Sequence, residues 1–94
     1  MTPLQSKGEY RVGIGFNPSG DDKVALIKRQ AADLIDEIDT IEVAAGSEVM
    51  IGTHDAEVAR CKALAQTAIE EAAMWAVKAA TKRAPAVTEA SGEA

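Results

Sequence analysis

The stretch "AEVARCKALAQTAIEEAAMWAVKAATK", residues 56–82, decides the fold. It holds neither glycine nor proline, and eleven alanines fall between Ala56 and Ala84. Alanine is the best helix former, so the run reads as one long helix. Its apolar residues draw two stripes at helical spacing. Cys61, Leu64, Ala68, Ala72, Trp75 and Ala79 make one; Val58, Ala65, Ile69, Ala73, Ala76 and Ala80 make the other. Asp55 is placed to cap the start. Pro85 ends the helix, because the residue before a proline avoids the helical region. About 27 helical residues span roughly 40 Å. One antiparallel neighbour covers only one of the two apolar faces. The spare face predicts a homo-oligomer in which alanine surfaces let helices approach closely, with Cys61 and Trp75 inside the packing.

Working upstream, Val24, Ile27, Ala31, Leu34, Ile38 and Ile41 recur at spacings of three and four residues, one apolar stripe of a first helix. Ser19-Gly20-Asp21-Asp22 resembles a capping box with Ser19 as N-cap, and Gly46 is a stop signal. Residues 1–18 form an arm of different character. Tyr10, Val12, Ile14 and Phe16 alternate with Arg11, Gly13 and Gly15, a period of two that reads as extended chain. No second strand is available to pair with it, so it is expected to lie across helices. The fold expected is all-α and a single domain over 1–94: an extended N-terminal arm (1–18), two long antiparallel helices (19–45 and 56–84), a connection (46–55) and a disordered tail (85–94), assembled as a compact homo-oligomer.

Bulk properties exclude several function classes. Fifteen carboxylates face ten Lys and Arg, for a net charge of −5. That balance argues against general binding of DNA or RNA polymers. Residues 33–59 carry eight carboxylates and no Lys or Arg, whereas residues 1–32 carry five basic and three acidic residues. The N-terminal third is the basic end of an acidic protein. A lone Cys61 excludes an internal disulfide, and its use fits a reducing cytoplasm. The start lacks the pattern of a secretory leader. The longest apolar run, Ala72–Val77, is far short of the roughly 18 residues of a membrane span.

Little in the sequence suggests bond-making chemistry. Gly13-Ile14-Gly15 lacks the third glycine of a dinucleotide-binding fingerprint, and no phosphate loop is present. Ser19 has no histidine neighbour to activate it. His54, the sole histidine, reads as a solvated or capping residue. Asp33, Asp36 and Glu37 half-match the paired acidic motifs of magnesium-dependent helical pyrophosphatases. The second pair, three residues apart, is missing, so the run reads as a solvated acidic face. No catalytic residue, metal or cofactor is expected. The arm is richer: Tyr10 and Phe16 offer stacking faces worth about 1–3 kcal/mol per base. Glycines let backbone approach a ligand. Arg11, Lys23 and Lys28 supply charge for phosphates. The same aromatics serve equally well as subunit glue.

Two stretches together resemble the phage anti-CBASS cyclic-nucleotide sponge family. They are "FNPSG" with the following "VALIKRQAADLID", and "EVARCKALAQTAIEEAAMWAVKAATK", whose "EEAAMWAVKAATK" is the most specific part. The similarity covers roughly Tyr10 to Lys82. It implies a small all-helical protein that assembles as a homohexamer. Such a protein binds cyclic dinucleotides such as cyclic GMP-AMP, and in separate pockets cyclic trinucleotides, without cleaving them. It would act in the cytoplasm of the infected bacterial host. The resemblance implies Tyr10 and Lys28 as dinucleotide-pocket residues between protomers, with Asn17 and Pro18 as neighbours; residue type adds Arg11 and Phe16 to the candidate binding residues. For the trinucleotide pocket Arg60 is the candidate. Two other readings stand beside it: an oligomeric helical scaffold or protein-binding inhibitor without a nucleotide ligand, and, last, a magnesium-dependent nucleotide hydrolase.

Overall fold

The computed structural model describes residues 4–43 and 51–83. Its elements are α1 (Lys7–Val12), α2 (Asp22–Asp39) and α3 (Ile51–Thr81). The described residues contain no strand. Helices α2 and α3 form an antiparallel hairpin. Val24, near the start of α2, shares a cavity wall with Val77 and Thr81 at the end of α3. Ile38 and Ile41, at the other end, face Val58, Cys61 and Ala65.

The arm is not extended. Ser6 caps α1 by accepting from the Glu9 N–H, while the Glu9 side chain accepts from the Ser6 N–H. This reciprocal box satisfies two N-terminal donors that would otherwise lack partners. Gly13 ends α1 in the left-handed region (φ 65°, ψ 57°), which glycine adopts without steric cost. The alternation at residues 10–16 was a poor guide because a six-residue helix is too short to display its own period.

The boundaries of the longer helices also differ from those expected. The cap of α2 is Asp21, not Ser19: the Asp21 carboxylate accepts from the Lys23 N–H at 2.8 Å. Ser19 instead donates to Asn17 Oδ1 and accepts from the Asp21 N–H. Helix α2 stops at Asp39 with Thr40 as C-cap, well before Gly46. From α3, Lys62 Nζ donates to the carbonyls of Asp39 (3.1 Å) and Ile41 (2.7 Å), which meets their need at the helix end. Helix α3 already begins at Ile51, so Asp55 lies inside it and the segment between the two helices is 40–50 rather than 46–55. Gly46 and the tail 85–94 fall outside the described residues.

Packing selects one of the two stripes of α3. Val58, Ala65, Ile69, Ala73, Ala76 and Ala80 are all covered, fully or in part. Cys61, Leu64, Ala68, Ala72, Trp75 and Ala79 are all exposed. The expectation that Cys61 is core is therefore wrong for the chain by itself, and Trp75 is 61% exposed. On α2 the buried line is Val24, Lys28, Ala32 and Ile35. This is a rotated version of the expected stripe, and Leu34 faces out. The rotation follows from α1, which docks on α2 beside Ala32. A Cβ on Gly8 would overlap the Ala32 carbonyl and lie 2.9 Å from its Cα.

Polar contacts fix α1 in place. The Gly8 N–H donates to Asp36 Oδ1 at 2.6 Å. Arg29 bridges Glu9 and Asp33. Lys7 Nζ reaches Asp39 Oδ1 and Gln66 Oε1, both at 3.0 Å. Gln66, 1% exposed, also donates to the Ile35 carbonyl, so this buried amide is satisfied on both sides. Asp33 and Glu37 are exposed as expected. Asp36 is not merely solvated, because it anchors α1.

Candidate functional site

The turn after α1 brings the expected arm residues to the junction of all three helices. Gly13 N–H bonds back to the Tyr10 carbonyl (3.2 Å), Ile14 N–H to Glu9 (3.0 Å), and Phe16 N–H to Gly13 (2.9 Å). These three reverse bonds turn the chain sharply and place Phe16 over Lys28 of α2. Tyr10 is 76% exposed and Phe16 70% exposed. Both rings therefore present faces to solvent rather than to the chain's own core.

Against the Phe16 ring lies Lys28, 9% exposed. Its Nζ donates to the Gly13 carbonyl (3.0 Å) and to the Phe16 carbonyl, and stands 5.4 Å from the Phe16 ring centroid. Among the described residues no carboxylate comes within ion-pair distance of it. A buried charge without a counter-charge is costly, and carbonyl dipoles with an aromatic face offset only part of the cost. An ammonium has three donors, so one N–H remains for an anion.

Arg11 is placed differently. Its guanidinium holds Glu70 (Nη2–Oε1 2.7 Å, Nε–Oε1 2.9 Å) and reaches Thr67 Oγ1 at 3.3 Å. Its charge is already matched, so it ties α1 to α3 more than it offers a free cation. Lys23 is exposed on the first turn of α2. Asn17 is also committed: Nδ2 donates to the Asp21 carbonyl (3.0 Å) and Oδ1 accepts from Ser19. It shapes the turn before α2, next to the exposed Pro18.

Two cavities open on either side of Lys28. One, of 240 Å³, is lined by Arg11, Val12, Lys28, Glu70, Ala73, Met74 and Val77. The other, of 190 Å³, is lined by Phe16 to Ser19, Val24, Lys28, Val77 and Thr81. They share Lys28 and Val77. Each is smaller than the roughly 300–1,000 Å³ that encloses a drug-sized ligand, so each takes part of one. Glu70, Met74 and Val77 escaped sequence reasoning. They reach the site only through the docking of α1 across some 60 residues of chain, and no local motif signals that.

Arg60 lies apart, on the exposed side of α3. Glu57 pairs with it at 2.7 Å, and this hydrogen bond holds Arg60 above the ordinary guanidinium value and Glu57 below the ordinary carboxylate one. His54 is exposed, 3.4 Å from the Asp55 carboxylate. Among the described residues no three His, Cys, Asp or Glu side chains converge to hold a metal ion. No helix among them is long and apolar enough to cross a membrane.

Comparison with curated proteins and with solved structures returns no match. A family model described as "Acb2/Tad1, hairpin domain" matches residues 9–81, which takes in the second half of α1, the turn with Phe16, and the whole α2–α3 hairpin. The matched span covers most of the chain and contains every candidate site residue from Tyr10 to Arg60, so the chain belongs to the Acb2/Tad1 hairpin-domain family, the anti-CBASS sponges.

Proposed function

We propose that this protein binds cyclic dinucleotide signals such as cyclic GMP-AMP, and sequesters them without cleavage. By lowering the free signal it blocks CBASS antiphage immunity in the cytoplasm of the infected bacterial host. Family membership supports the sponge role. The observation that carries the ligand class is a buried lysine, with no carboxylate partner among the described residues, set against the exposed Phe16 ring, with a second exposed ring, Tyr10, on α1. Tyr10 and Phe16 stack bases, Lys28 gives its third N–H to a phosphate, and Asn17 and Pro18 shape the wall. Arg11 keeps α1 against α3 through Glu70 and so frames the larger cavity.

The pocket is completed between protomers. A cyclic dinucleotide is nearly two-fold symmetric, and a two-fold interface presents the same residues twice. Holding a signal at nanomolar level corresponds to about −12 kcal/mol. Two stacked bases at about 1–3 kcal/mol each, with two charge-assisted contacts, supply a large share. The assembly is a homohexamer, and Arg60 serves a separate cyclic trinucleotide pocket once ligand phosphate displaces Glu57.

The test is recovery of the ligand. The protein is incubated with cyclic GMP-AMP, separated from free nucleotide, heat-denatured, and the released small molecule is identified. Intact cyclic GMP-AMP is expected, at one per two chains, and EDTA should not change the amount. Recovery of a linear product would establish a hydrolase, and no retained nucleotide would leave an assembly scaffold.

A further inference from the structure

We infer that Lys28 is a positioning residue, whose main effect on the ligand runs through Phe16. This rests on the sponge reading for its ligand half and on the free protein for the rest.

The turn 13–16 has little else to hold it. Phe16, Gly15 and Pro18 are exposed, and no carbon of another element lies within 4 Å of where a Gly15 side chain would begin. Its backbone bonds are local, between residues 9 and 16. Among the described residues only Lys28 crosses from α2 to two of its carbonyls, one at each end of the turn, with the Phe16 ring laid beside the ammonium. Two points of attachment fix a short loop's orientation where one would leave it free to pivot. Lys28 itself is held along its length, since α2 buries it between Val24 and Ala32.

The two cavities meet at this side chain. One includes Phe16 and the other does not, and the lysine, with Val77, forms their common wall. Moving Phe16 therefore changes the shape of the smaller cavity directly. A loop already fixed in its binding pose spares the ligand the ordering entropy of an aromatic side chain and its backbone. Removal of the lysine charge would lose one phosphate contact and also release the stacking platform.

The experiment uses the full-length chain with Lys28→Met, which keeps the length and apolar stem, with Phe16→Ala, and with both. Amide hydrogen exchange of the unliganded protein reads the latch. Lys28→Met should speed exchange at Ile14 and Phe16 at least tenfold and leave the centres of α2 and α3 unchanged. Isothermal titration with cyclic GMP-AMP reads the coupling. Lys28→Met should weaken binding at least a hundredfold in the wild-type background but no more than tenfold once Phe16 is alanine. Unchanged exchange at the turn overturns the latch. Equal losses in both backgrounds overturn positioning and leave Lys28 a direct phosphate ligand only. If the wild type binds no cyclic dinucleotide while exchange still accelerates in Lys28→Met, the sponge reading falls and the role toward the ligand falls with it, the latch alone standing.

Discussion

Gly8 shows how one atom sets the architecture. In most exposed helices, replacing glycine by alanine stabilises by about 1 kcal/mol. Here the added methyl would meet the Ala32 backbone, which cannot rotate away. Overpacking typically costs about 1–3 kcal/mol, so the sign of the effect decides. Gly8→Ala should lower stability in urea titrations and loosen α1. A stabilised variant would mean that α1 does not rest on α2 as described. Tyr10 makes the opposite case. Its ring is solvent-facing, and its hydrogen bonds are those of its backbone. Tyr10→Ala should leave the melting curve of the free protein nearly unchanged and cut cyclic dinucleotide affinity at least a hundredfold, because a two-fold pocket loses two platforms at once. Tight binding by that variant would return Tyr10 to an assembly role. Tyr10, Phe16 and Lys28 stand out in the sequence by residue type and resemblance. The contacts of Lys28 with the Gly13 and Phe16 carbonyls do not, since they exist only once Gly13 turns the chain.

At the level of elements, α1 is the least anchored part of the molecule by apolar contact, since only Gly8 of its residues is buried. Ion pairs and a capping box hold it instead. Glu9 titrates below the ordinary carboxylate value, first because of the Ser6 backbone hydrogen bond and then because of Arg29. Asp39 is likewise lowered, first by Lys7 and then by Gln66. A carboxylate depressed in the folded state adds stability above its unfolded value and loses it as pH falls through the folded one. Docking of α1 should therefore be constant from neutral pH down to the ordinary carboxylate range near 4–4.5 and then weaken. High salt should act in the same direction, because these pairs are partly exposed. Resonances of Tyr10 followed by NMR against pH and salt give the check, and an unchanged Tyr10 environment at pH 3 would refute polar docking. The sequence held the signal for this helix in Ser6 and Glu9, a capping box three residues apart. Alternation at residues 10–16 masked it. The two long helices were legible because their stripes persist over many turns. Their ends were not, because Lys62 and Asp21 act through contacts that no periodicity reports.

At the scale of the whole molecule, the core among the described residues is small. Its buried apolar residues are Val24, Ala32, Ile35 and Ala73. A core this small calls for a further source of stability, such as metal, disulfide or oligomerisation. Here the candidate is plain: α3 carries a stripe from Leu64 to Ala79 that stays exposed, with the large side chains Leu64 and Trp75 along it. Lys78 Nζ stands 5.1 Å from the Trp75 ring, a contact that shields one face of the indole and leaves the other open. If this side is the assembly surface, light scattering at micromolar concentration should give a mass several times 9.8 kDa, six-fold for the hexamer. The melting temperature should rise with protein concentration, as mass action requires when folding and association are linked. Two substitutions separate assembly from folding. Trp75→Ala removes a large exposed side chain and touches little within the chain, so it should shift mass toward smaller species and abolish the concentration dependence. Ala73→Leu, on the covered stripe, should instead cost about 1–3 kcal/mol of hairpin packing at every concentration. A monodisperse, fully helical wild-type monomer, or a Trp75→Ala variant with unaltered mass, would leave the outer stripe of α3 without this role.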